Sequence, residues 1–193
     1  MMSLTHIQSY LDQFINTRKS ITLLSEDIND QRPDSRTWCV SDVQTFCLDD
    51  IVECYCNSNG FDNFSSVDAI SIHENDLNLI EFKNSSCCKD NTKRSLKIKI
   101  SDTMRFIEKI VLNSNFINNA SINIRYILVF NPTNRNEGLK RTTDELFRLA
   151  KKGPSDKERL SNIGNYVNAL QLCNEFLILY PEEFINNINN YID

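Results

Sequence analysis

The chain has 193 residues, 40% hydrophobic and 24% charged, with four glycines and four prolines. That balance is ordinary for a globular protein and excludes collagen-like and low-complexity classes. The net charge of −5 is unevenly spread: residues 1–82 carry 4 basic and 14 acidic side chains (−10), and residues 83–193 carry 17 and 12 (+5). No stretch approaches the eighteen or so apolar residues that span a bilayer, and no apolar leader follows the N-terminus, so the expectation is a cytoplasmic protein without a membrane partner. The seven cysteines are then free thiols by default. Cys54-x-Cys56 and Cys87-Cys88 do not form C-x-x-C knuckles, so a structural zinc is not expected.

In chain order, Leu4, Ile7, Leu11, Phe14 and Ile15 recur at helical spacing and predict a helix over 4–17. Residues 18–40 are polar, hold Pro33 and predict a loop. Ser41 and Gln44 fit a capping box opening a helix over about 42–57, with Val43, Phe46, Cys47, Ile51 and Cys54 inward. Asn59-Gly60 marks a turn. Strands follow near 67–72 and 77–83. Leu96, Ile100, Met104, Ile107 and Val111 predict a helix over 94–113. The apolar, β-branched run INIRYILVF at 122–130 predicts a central strand covered on both faces. Helices near 139–152 and 156–172, a strand at 175–180 and a short helix at 181–191 complete the order. A hairpin, a crossover helix and a buried strand imply a mixed sheet flanked by helices.

The hairpin carries the chemistry. Strand alternation puts Glu81 and Lys83 on one face. A two-residue turn at Asn75-Asp76 sets Asp68 opposite Lys83, and a four-residue turn over 73–76 sets it opposite Glu81. Either register gathers Asp68, Glu81 and Lys83 beyond Ile70, Ile72 and Leu79. An Asp, a Glu and a neighbouring carbonyl are hard oxygen ligands that suit Mg²⁺ or Mn²⁺. A lysine two residues past the glutamate can orient a metal-bound water or stabilise charge building on phosphorus. The competing reading of the same residues is a cross-strand ion pair at a wet sheet edge.

The stretch VDAISI…LNLIEFKN resembles the core of the PD-(D/E)xK nuclease superfamily, which has the restriction-endonuclease-like fold. The likeness runs over about residues 42–130: a helix, the hairpin, a second helix and a further strand. It implies that Asp68 and Glu81 are metal ligands and that Lys83 is the catalytic lysine. Members often add a glutamate from the preceding helix, and Glu53 is the only one there, with Asp49 and Asp50 half a turn or more away. Val67 stands where members often have proline. The family core has a further strand before the first acid, for which FDNF at 61–64 is the nearest candidate.

The resulting expectation is a single α/β domain over 1–193, with a restriction-endonuclease-like core at about 42–130 and helical additions at 1–20 and 139–193. Its function would be Mg²⁺- or Mn²⁺-dependent hydrolysis of phosphodiester bonds, in DNA rather than RNA by analogy to the family. Lys93, Arg94, Lys97, Lys99, Lys140 and Arg141 would flank the phosphate backbone. The alternative is a catalytically inactive module of the same fold that binds protein or nucleic acid; a homodimer or a protein partner is left open. Trp38 and Tyr55 could stack on a base, with core packing as the competing role.

Overall fold

A computed structural model describes residues 4–26, 37–84, 90–111, 122–131 and 156–193. One six-stranded mixed sheet organises them, and its strands lie in chain order. Helix α1 (Leu4–Leu11) leads through a 3₁₀ stretch (Asp12–Thr17) into β1 (Arg18–Ser20) and the short α2 (Ile21–Leu24). Strand β2 (Gln44–Cys47) runs into α3 (Leu48–Asn59), and the hairpin β3 (Ala69–His73) and β4 (Asp76–Lys83) follows. Helix α4 (Asp90–Phe106) ends in a π turn (Ile107–Val111); β5 (Asn123–Phe130), α5 (Asp156–Ala169), β6 (Glu175–Leu179) and α6 (Pro181–Asn186) complete the order. The first four strands pair antiparallel, and β5 and β6 add in parallel to β4. Among the described residues no helix is long and apolar enough to cross a membrane.

Period-two alternation divides the sheet between two cores. Leu77 and Leu79 of β4 and Tyr126, Leu128 and Phe130 of β5 pack against α1, α3, α4 and α5. Ile80, Phe82, Ile127 and Val129 face the opposite way, against Ile21 of α2 and Phe184 of α6. Strand β5 is therefore covered on both faces, as its apolar run predicts.

Several expectations change. The helix predicted over 42–57 begins only at Leu48, and residues 44–47 form β2. No Ser41–Gln44 capping box forms, because Gln44 is in the strand and the Ser41 hydroxyl accepts from Val43 N–H. The sheet captures Thr45 and Phe46 through pairing with β1 and β3, which local periodicity does not register. FDNF at 61–64 is not a strand; β2, on the far side of α3, takes that place beside β3. The polar segment 18–40 contains β1 and α2, so the N-terminal addition is not purely helical. The 4–17 helix breaks at Phe14, whose φ of −115° and ψ of 33° are non-helical. The helix expected near 139–152 lies outside the described residues.

Candidate active site

The hairpin turn fixes the site. His73 pairs with Asp76, leaving the two-residue turn Glu74-Asn75, with Glu74 at φ 52°. Ala69 then pairs with Ile80, and one more step of the register sets Asp68 opposite Glu81. That is the second of the two expected registers, reached with a shorter turn. Asp68, Glu81 and Lys83 consequently share the face that carries α3 and α4.

Asp68 ends a loop anchored from three sides. Its carbonyl accepts the N–H of Leu48, at the start of α3, at 3.1 Å. Its Oδ2 accepts Phe82 N–H from β4 at 2.6 Å. Next to it, Val67 N–H donates to the buried Thr103 hydroxyl of α4 at 3.0 Å. The Ser66 hydroxyl donates to Asp49 in the first turn of α3. A strand, a hairpin partner and two helices thus converge on one loop.

The centre of the site is an ammonium group. Lys99 Nζ of α4 donates to Asp68 Oδ1 at 2.8 Å and to Glu81 Oε2 at 2.9 Å. The Glu81 side chain is 1% exposed, and its Oε1 is buried with no hydrogen-bond partner. Burial raises the Glu81 pKa well above the usual carboxylate range, and the Asp68 charge adds to this; Lys99 and Lys83 pull the other way. Burial opposes the charge on Lys99, but Glu81 and Asp68 outweigh it and hold the ammonium firmly protonated.

Lys83 is half-buried, two residues beyond Glu81 on the same face; it bonds neither acid, and its charge reaches Glu81 through space. Its backbone carbonyl accepts Asn131 N–H at 2.9 Å, fixing the end of β4 against β5. Glu53 is exposed and joins none of these interactions. The acid that α3 brings nearest is Asp49, one helical turn earlier. Asp49 has solvent on one side and packed chain on the other; the packed side raises its pKa, the Ser66 hydroxyl lowers it, and the charge on Asp68 raises it again. Glutamate chemistry points to Glu53, whereas the position of the helix start favours Asp49.

The basic residues of α4 point in different directions. Arg94 lines a cleft of about 260 Å³ with Ser65, Asn91, Ser95 and Ile98. Lys97 lies over the Tyr166 ring, 4.8 Å from its centre. Lys93 is half-buried. Lys99, expected to flank a phosphate backbone, reaches instead between the two carboxylates. Lys140 and Arg141 lie outside the described residues. Trp38 and Tyr55 pack on the two cores, against Phe82 and Phe106 respectively. Cys39, Cys47, Cys54, Cys56 and Cys173 are free thiols.

No family, curated protein or solved structure matches the chain. Among the described residues no group of three or more His, Cys, Asp and Glu side chains forms a ready-made metal cage. Two carboxylates nevertheless converge on one cation, and the orphaned Glu81 Oε1 is a hard oxygen in want of a partner. That donor set fits a hard divalent ion that keeps most of its own waters.

Proposed function

We propose that the protein is a metal-dependent nuclease of the PD-(D/E)xK kind, hydrolysing phosphodiester bonds, with DNA favoured over RNA by family analogy alone. The observation that carries this reading is the buried pair Asp68 and Glu81, converging on one cation with an oxygen of Glu81 unsatisfied. A buried carboxylate oxygen without a partner is costly in a purely structural site. The order of α3, hairpin, α4 and β5 also matches the arrangement that surrounds such acids in the superfamily.

In this reading Asp68 and Glu81 hold a Mg²⁺ or Mn²⁺ ion, and Asp49 takes the helix-borne position earlier given to Glu53. The bound ion supplies a lowered water pKa and neutralisation of phosphate charge. Phe82 N–H and Leu48 N–H hold Asp68 in place, so its carboxylate does not reorganise as charge develops. Lys83, at the open end of the strand, orients the attacking water and stabilises the phosphorane charge. Arg94 and the polar cleft around it receive the adjoining phosphate backbone.

The test is degradation of plasmid, single-stranded DNA and RNA with Mg²⁺ or Mn²⁺, wild type against Lys83→Ala. Lys83→Ala is expected to lose on the order of a hundredfold or more in rate while keeping fold and metal. Asp68→Asn is expected to lose cleavage and metal together. Equal rates for wild type and Lys83→Ala would assign the cleavage to a contaminant. The second reading, a non-catalytic interaction module, is favoured by the Lys99 ammonium that already closes the gap between the acids; an inert wild type supports it.

A further inference from the structure

We infer that Lys99 is the resident cation of this site, exchangeable with the divalent ion, so that the metal-free protein is held closed by its own side chain. The inference rests on the metal-binding part of the reading above and specifies how that site is controlled. Two observations and one chemical argument carry it. The ammonium is bonded to both candidate ligands, at 2.8 and 2.9 Å, through one oxygen of each. A hard divalent ion and an ammonium seek the same lone pairs, so both cannot occupy the point between those oxygens. The remaining oxygen of Glu81 has no partner in the closed arrangement, so the lysine bridges the acids without satisfying them.

The stem of Lys99 makes exchange geometrically simple. Leu96 and Ile100 anchor α4 in the core, while the Lys99 side chain keeps 20% of its surface exposed. The ammonium can therefore swing to solvent through rotation about its own carbon chain, with α4 unmoved. Released there, it lies on the same helix as Arg94, one turn from the polar cleft. Apparent metal affinity is then the intrinsic affinity reduced by the fraction of molecules in which the lysine has left.

Two measurements on the full chain test this, both reading binding rather than turnover. The first is Mn²⁺ titration calorimetry of wild type, Lys99→Met and Lys99→Arg. Lys99→Met is expected to bind roughly tenfold tighter or more, because nothing competes with the ion, and Lys99→Arg is expected to stay near wild type. The second measurement uses only wild type, in case Lys99→Met does not fold. Acetylation of Lys99, followed by mass spectrometry, is expected to rise severalfold when Mn²⁺ is added, with Lys93 and Lys97 as internal references. Equal affinity in wild type and Lys99→Met, or Mn²⁺ binding that leaves Lys99 acetylation unchanged, would overturn the exchange while leaving the nuclease reading intact. Binding without cleavage, with Lys99 released, would uphold the exchange and remove the nuclease. Absence of Mn²⁺ binding in wild type and in folded Lys99→Met would remove both.

Discussion

Strand β4 carries an ion cluster at each end, and each places one cation between two carboxylates. At the turn end Arg125 bonds Asp76 at 2.6 Å and Glu175 at 3.0 Å. At the open end Lys99 bonds Asp68 at 2.8 Å and Glu81 at 2.9 Å. The cations are similarly covered, 23% and 20% exposed, but Glu175 is 46% exposed and Glu81 is 1%. Arginine serves its two acids from separate N–H groups, and Asp76 also accepts from Asn123 at 2.7 Å. The lysine cluster leaves Glu81 Oε1 without a partner. A saturated, wet cluster fastens strands together. An unsaturated, dry one is poised to take something more.

The largest expected difference between the two is in stability. Lys99→Met leaves two carboxylates without their cation, one of them fully buried, and is expected to cost about 3–5 kcal/mol in urea unfolding. Arg125→Met is expected to cost about 1 kcal/mol or less, since water reaches Glu175 and Asp76 keeps its bond from Asn123. Similar losses would mean that burial does not separate the clusters. A smaller effect comes from neutralising one acid in each. Glu81→Gln is expected to cost about 1–3 kcal/mol, because it strips a charge-assisted bond from Lys99 and buries an amide, whereas Glu175→Gln should stay within about 0.5 kcal/mol of wild type. The smallest effect sharpens the contrast. A double-mutant cycle on Arg125 and Glu175 should give a coupling of about 0.5 kcal/mol that fades by 0.5–1 M NaCl, roughly where the screening length shrinks to a few ångströms. The Lys99–Glu81 coupling should not fade, and if it does, the open end is wetter than its exposure indicates.

What the sequence discloses about these clusters follows from how local the signals are. The hairpin and the shared face of Asp68, Glu81 and Lys83 depend only on alternation and a short turn, so they are legible. The covered strand at 122–130 is legible from its continuous apolar run. Lys99 is misplaced by reading because it stands in the basic run 89–99, whose charges look like one solvated surface. Its helical position holds the missed signal: it lies three residues after Leu96 and four before Thr103, both fully buried. The register of α4 thus turns Lys99 toward the core edge while Arg94 faces solvent. Strand β2 is illegible for a different reason: its four residues find partners only at β1 and β3, and Phe46 pairs with Arg18 on one side and Ile70 on the other. Asp49 is ranked behind Glu53 in the sequence because the start of α3 depends on where β2 stops.

The chain-order arrangement of the strands has a consequence for how the molecule comes into being. Each strand from β2 onward docks on the one synthesised just before it, so the sheet can be laid down in the order of translation. Asp68, Glu81 and Lys99 fall within 31 residues of one another and can meet early, before β5 emerges to pair beside β4. The late event is at the other face. The Tyr191 carbonyl accepts from Ser71 and from Asn78, closing spans of 120 and 113 residues. Contacts of that reach are slow to form, so in a nascent chain the ion site would exist before the clasp that seals the opposite side of its hairpin.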